Sequence, residues 1–253
     1  MTSVTPATSV TPVTSVTPVT SVTQAILDRR SARAFLDRPV SAELIREIIE
    51  VARRTASSSN MQPWRLSVMT GADLDRLRAD VRQSLAANPA SEGSEYKIYA
   101  AKLKDTYNRR RIKCAEDLYA TIGIAREDKM ARLMQFAQNF NFFGAPVGMI
   151  LSIDRSMEQG QWADVGMFLQ SILLLAHESG LAACPQAAWA SMHKTVRAHL
   201  QLPEEWMVFC GISLGYADPS QPINGLITER AELADIAEMR GFKADVARAP
   251  ERV

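Results

Sequence analysis

Arg29-Arg30-Ser31-Ala32-Arg33 places three guanidinium groups and a hydroxyl within five residues, directly after the apolar turn Ala25-Ile26-Leu27. Guanidinium forks match pairs of phosphate oxygens and a serine adds a further donor, so this chemistry suits a phosphate monoester. The same composition is also that of an ordinary solvated surface. Downstream, Ser57-Ser58-Ser59-Asn60-Met61-Gln62-Pro63-Trp64-Arg65 supplies small polar donors ending in a Pro-Trp step; alone it reads as a turn. An anion grip followed by a donor-rich loop suits a ligand with an anionic tail and a hydrogen-bonding head.

The elements that must position these groups follow from hydrophobic periodicity. Val40-Ser41 opens a helix to about Arg54, with Leu44, Ile45, Ile48, Ile49 and Ala52 at helical spacing. Arg65 to Met69 reads as a strand. Asp73 to Ala87 reads as a helix with Leu74, Leu77, Val81 and Leu85 on one face. Residues 88–139 are polar, basic and largely helix-compatible. Pro146 to Ile153 is a β-favouring apolar run, Trp162 to Ser179 an apolar helix stopped by Gly180, and Trp206 to Leu214 a buried strand. Short strands interleaved with longer helices predict a mixed α/β (α+β) domain. Residues Thr2 to Thr23 hold four copies of Thr-Ser-Val-Thr joined by Pro-Ala or Pro-Val. Uncharged and proline-punctuated, residues 1–23 are expected to form a disordered tail, with one folded domain over 24–253.

Composition removes several classes. A net charge of +1 provides no overall field for nucleic acid or an anionic membrane. No apolar run is long enough to span a bilayer, and the N-terminus lacks the basic start and apolar core of a secretory signal. Cys114, Cys184 and Cys210 contain no Cys-x-x-Cys pair and are odd in number, which suits a reducing cytoplasm. With His177, His193 and His199 they form no metal-ligand pattern.

Flavin mononucleotide (FMN) has the tail and head that the two polar segments require. In this order, the segments resemble the FMN-dependent nitroreductase family, which carries Arg-Arg-Ser-x-Arg near its start and Ser-Ser-x-Asn-x-Gln-Pro-Trp after the first long helix. The resemblance extends through Asp164-Val165-Gly166, Gly180-Leu181, Cys184-Pro185-Gln186-Ala187, Gly211 to Tyr216, and Asn224 to Arg230. Tyr107 to Arg111 and Asn139 to Pro146 are similar to the nitrobenzoate-reductase branch. The family implies a mixed central sheet flanked by helices, a homodimer with the flavin at its interface, and a C-terminal arm.

The resemblance also implies roles. Arg29 and Ser31, beside Arg30 and helped by Arg230, would hold the FMN phosphate. Arg33 would face the N1 and C2-carbonyl edge, where a cation stabilises the charge left by reduction at N5. Ser57, Ser58, Asn60 and Gln62 would contact flavin, the serine loop reaching across the dimer interface. Pro185, Gln186 and Ala187 would run beside N5, with a backbone N–H as the expected contact. Without the resemblance, Pro185-Gln186 reads as a loop leaving a helix. Relatives often carry a further basic residue three before the last arginine; here that residue is Ile227.

The implied reaction is ping-pong transfer of hydride from NADH or NADPH through FMN to an electron-poor acceptor such as a nitroaromatic or a quinone. No protein nucleophile is required. A Gly-x-Gly-x-x-Gly fingerprint is absent, as a transient nicotinamide permits. Residues 88–139, and especially Tyr96 to Lys129, would form the lid that sets specificity. Tyr107 and Arg109 to Arg111 read as a solvated basic face, with an aromatic carboxylate as the other candidate. Alternatives are reductive dehalogenation, ene reduction or flavin fragmentation on a similar scaffold, and a non-catalytic FMN-binding protein.

Overall fold

The structure, a computed structural model, describes residues 21–242. Of the tail expected over residues 1–23, residues 1–20 lie outside the described part, as does the chain beyond residue 242. Helix α1 (Val22–Asp28) begins inside the last repeat copy, two residues before the expected start at Gln24. Ser21 Oγ accepts the Gln24 N–H at 3.1 Å, satisfying a donor that a helix N-terminus leaves open.

Helix α2 (Ala42–Ala52) is capped in the same way by Ser41 and buries Ile45, Ile48 and Ala52. Strand β1 (Trp64–Thr70) turns directly into α3 (Gly71–Ala87), which buries Leu74, Leu77 and Val81. The polar middle forms α4 (Asp105–Thr121) and α5 (Lys129–Ala137). Strand β2 (Val147–Asp154), α6 (Gln159–Glu178), β3 (Ala182–Gln186), α7 (His193–Leu200), β4 (Trp206–Gly215) and the short α8 (Leu233–Ile236) follow.

The sheet order is β1-β2-β4-β3, and every neighbouring pair is antiparallel. A parallel contribution comes from the isolated bridge between Ser31 and Ala183 on the outer side of β3. The sheet is therefore mixed only through that bridge. Strand β2 is buried from Val147 to Ile153 because both sheet faces are covered, which explains its nearly continuous apolar sequence. On one face, α2 and α6 bring Ile45, Ile48, Phe168 and Ile172 against Met149, Leu151 and Ile212. On the other, α3 and α7 bring Leu74, Leu77 and Val196 together with Ile150, Phe142 and Trp189. Trp189 stacks on Phe142 at 4.1 Å and lies against Gly211, where an added Cβ would meet Trp189 Cδ1 at 2.1 Å.

Strand β3 and helix α7 are absent from the periodicity reading. Ala-Ala-Cys-Pro-Gln contains no β-branched residue and a proline, so its extended form comes from pairing with β4. Proline is tolerated because β3 is an edge strand.

The middle segment is fastened at its base. Glu92 accepts the backbone N–H of Lys194 at 2.7 Å and of Thr195 at 3.2 Å, at the start of α7. Tyr96 Oη donates to Phe209 O at 2.6 Å, and burial raises its pKa. Farther along, α4 meets the C-terminal arm through Lys113–Glu229 (3.1 Å) and Arg110–Asp235 (3.6 Å). The basic face of α4 is thus partly neutralised within the chain. Among the described residues, no helix is long and apolar enough to cross a membrane.

Candidate functional site

The arginine motif leaves α1 and runs onto the outer edge of β3. Ala32 N–H donates to Ala183 O at 3.2 Å. Beyond it, Leu36 N–H donates to Tyr216 O at 2.9 Å, Phe35 bridges Ala217, and Arg38 lies 3.8 Å over the Tyr216 ring. The motif is thereby seated on the main sheet.

Its side chains then converge. Arg29, Arg30, Ser31 and Arg33 line one cavity of about 370 Å³ with Ile26, Leu27, Cys114, Leu226, Ile227, Thr228 and Arg230. Helix α1, helix α4, the motif and the C-terminal arm each contribute a wall. Ile227, where the resemblance leads one to expect a basic residue, lines the same cavity, which carries four guanidinium groups without one there. Among the described residues, none of those four makes a salt bridge.

Local bonds fix the guanidinium groups. Arg30 donates to Leu27 O at 2.7 Å, satisfying a carbonyl at the end of α1. Arg33 donates to Ser31 O at 3.2 Å, and Arg230 to Thr228 O at 2.9 Å. Arg29 differs: its Nε is buried without a partner. Burial, then the Arg230 and Arg30 charges, holds its pKa below the usual arginine value. Converging, unneutralised cations and an open buried donor fit an anion, which would satisfy both at once. The residues present thus suit a phosphate group.

Pro185, Gln186 and Ala187 follow directly from the bridge. Strand alternation turns the main-chain groups of Ala183 and Pro185 outward and those of Cys184 and Gln186 toward β4. Proline has no N–H, and the exposed Ala187, just past the strand, opens a short 3-10 helix whose first N–H groups have no intrahelical partner. The Gln186 side chain is committed internally. Its Nε2 donates to Asn139 O at 2.8 Å, and its Oε1 accepts from Ser213 Oγ at 2.7 Å. Neither end of that side chain is left for a ligand. Cys184 lies against the motif, where burial pushes its thiol up to about 11 despite the opposing Arg33 and Arg29 charges and a Ser31 hydrogen bond.

The serine loop lies elsewhere within this chain. Ser57, Ser58, Asn60 and Gln62 do not line the arginine cavity. Ser58 donates to the buried Asp164 through N–H (3.1 Å) and Oγ (3.3 Å), and Ser57 Oγ accepts the Gln62 N–H at 3.1 Å. Gln62 Nε2 turns back to Asn60 O at 3.0 Å. Ser59, Asn60 and Gln62 all have left-handed backbone, with φ of 50°, 58° and 51°. Asp164 lies ten residues before Leu174, which shares a pocket with Val22 and Ala25 of α1, so about 15 Å of helix separates the Ser58 anchor from that contact. The arginine motif and the serine loop are therefore two separate polar clusters within one chain.

Asn224 is a site residue that the sequence reading leaves without a role. Its Oδ1 accepts the Arg33 N–H at 2.8 Å, and its Nδ2 donates to Ala34 O at 2.8 Å. Asn224-Gly225 reads locally as a turn signal, and nothing local reveals a partner 191 residues away.

An antiparallel sheet between helical layers, with a cationic cavity on its outer edge, defines an α+β protein whose cavity chemistry suits an anion. The chain belongs to the nitroreductase family, whose family model matches residues 26–216. It is 38% identical over 210 residues to a chloronitrobenzene nitroreductase of Comamonas testosteroni, covering 83% of this chain and 92% of that protein. It is 36% identical over 220 residues to a 4-nitrobenzoate reductase of Pseudomonas putida, covering 86% and 94%. Among solved structures, the FMN and NADPH-dependent nitroreductase NfnB from Sphigopyxis sp. strain HMH is 42% identical, with a TM-score of 0.85 over 88% of this chain and 100% of that one.

Proposed function

We propose that this protein is an FMN-dependent oxidoreductase that moves electrons from NADH or NADPH to electron-poor acceptors such as nitroaromatics or quinones. The observation that carries the reading is the convergence of Arg29, Arg30, Ser31, Arg33 and Arg230 on one cavity, with the Arg29 Nε buried and unpartnered. The names of the chloronitrobenzene and 4-nitrobenzoate reductases, and the FMN and NADPH dependence in the NfnB title, support the same chemistry.

Bound FMN would supply the redox chemistry, accepting two electrons from the nicotinamide and passing them to the acceptor. The chain's residues hold, orient and tune. Arg29 and Ser31, with Arg30 and Arg230, hold the phosphate. Arg33 places positive charge beside the ring edge that becomes electron-rich on reduction. The Ala187 N–H, just past Pro185 and Gln186 at the end of β3, is the donor offered to the ring.

The separation of the two polar clusters within one chain favours a homodimer, in which Ser57, Ser58, Asn60 and Gln62 serve the neighbouring site. The partly exposed Met167, Leu174 and Leu175 of α6 give such a dimer apolar area. Residues 24–253 would act as one domain with a lid over 88–139, and the unpaired cysteines suit the cytoplasm.

The test is purification followed by visible spectroscopy. A yellow dimer that releases FMN on denaturation, and bleaches anaerobically with NADH or NADPH until a nitroaromatic restores its colour, is expected. A colourless protein that takes up no added FMN would overturn the reading. FMN binding without nicotinamide oxidation by any acceptor would reduce it to a carrier.

A further inference from the structure

We infer that Asn224 is a positioning residue that assembles the two sides of the phosphate grip. This rests on the reading of the arginine cavity as an FMN phosphate site.

The motif is held by main-chain pairing at two places: Ser31 bridges Ala183, and Phe35 bridges Ala217. Arg33 lies between them, and its N–H is taken by the Asn224 side chain at 2.8 Å. The same amide donates through Nδ2 to Ala34 O at 2.8 Å and to Asp218 O at 2.9 Å. Asp218 N–H also reaches Ala34 O, at 3.1 Å. One planar side chain thus joins the motif to the start of the C-terminal arm.

The consequence lies a few residues farther on. Leu226, Ile227, Thr228 and Arg230 leave this clasp and line the cavity opposite Arg29 and Ser31. The neighbouring Ile223 is buried, so the arm is rooted where Asn224 leaves it. Arg29 and Arg230 are close enough to depress the Arg29 pKa, so like charges work against the closed cavity. Neutral hydrogen bonds from Asn224 hold the walls together without occupying the anion's donors. Alanine would leave Arg33 N–H without this partner and let the Arg230 side drift.

The test compares FMN with riboflavin, which lacks only the phosphate, by fluorescence titration of the apoprotein. The preference of wild type for FMN is the reference. Asn224→Ala is expected to reduce that preference about tenfold, with riboflavin affinity nearly unchanged. Arg230→Ala should reduce it too, and Asn224→Ala added to Arg230→Ala should cost little more, because both act through one contact. If Asn224→Ala lowers FMN and riboflavin affinity equally, leaves the preference intact, or adds fully to Arg230→Ala, the inference is overturned. Should the alanine variant fail to fold, Asn224→Ser is measured against the same outcomes, since its shorter side chain cannot span to Ala34 and Asp218 together. A wild type that does not prefer FMN to riboflavin would instead overturn the phosphate reading itself.

Discussion

Ala32 donates its N–H to the carbonyl of Ala183 at 3.2 Å, and this bond joins the arginine motif to the outer edge of β3. It brings the guanidinium groups of the motif beside the strand that leads through Pro185 and Gln186 to Ala187. Two features far apart in sequence become one wall because a short edge strand has main-chain groups left to pair.

Arg29 carries a direct consequence for binding. Its Nε lacks a hydrogen-bond partner, and the Arg230 and Arg30 charges beside it repel its own. Adding FMN or inorganic phosphate to the apoprotein should raise Tm, while riboflavin should raise it less. Arg29→Ala should lower FMN affinity by about ten- to hundredfold and weaken its salt dependence. Thermal shift and titration at two ionic strengths check both.

Arg33 should affect redox behaviour more than affinity. Arg33→Ala is expected to lower the flavin midpoint potential and slow reduction by NAD(P)H about tenfold or more, with a smaller change in FMN Kd. Spectroelectrochemistry and anaerobic stopped-flow measure the two effects. A change confined to Kd would remove the electrostatic role given to Arg33.

Gly211 should tolerate no side chain. Its missing Cβ leaves room for the fully buried Trp189, and alanine would bring the two to 2.1 Å with the Trp189–Phe142 stack behind them. Gly211→Ala is expected to destabilise the fold by about 1–3 kcal/mol or more, read from urea unfolding. Gly166→Ala, where nothing lies within 4 Å of the new atom, is the control.

The buried thiols predict a loss of stability at alkaline pH. Burial raises Cys184 to about 11 and Cys210 to about 12, whereas unfolded thiols titrate near about 8.5. Above that lower value the unfolded chain releases protons that the folded chain retains. The contribution is therefore intact below it and is lost as pH rises toward the folded values. Cys210→Ala should flatten the fall of the urea midpoint between pH 9 and pH 10.5. The exposed Cys114 should be the first thiol modified at neutral pH.

The sequence by itself determined the family resemblance and most of the layers. Clustered guanidinium groups suit a phosphate or a solvated surface, so Arg29 to Arg33 were legible as a candidate only together with Ser57 to Trp64. The stripe Ile45, Ile48 and Ala52 and the runs Val147 to Ile153 and Trp206 to Leu214 carry the periodicity of their elements, because burial of one face or two imposes it locally. Tertiary structure alone decided what meets what. Strand β3 exists because β4 pairs with it, against its own weak β-propensity. Gln186 spends its side chain on Asn139 and Ser213, and Asn224-Gly225, a turn by local signal, clasps Arg33. The serine loop stands apart from the arginine cavity because Ser58 is tied to Asp164, near the opposite end of α6 from α1. Local preference acts over a few residues, whereas these relationships depend on side chains and edges that only the packed sheet brings within hydrogen-bond distance.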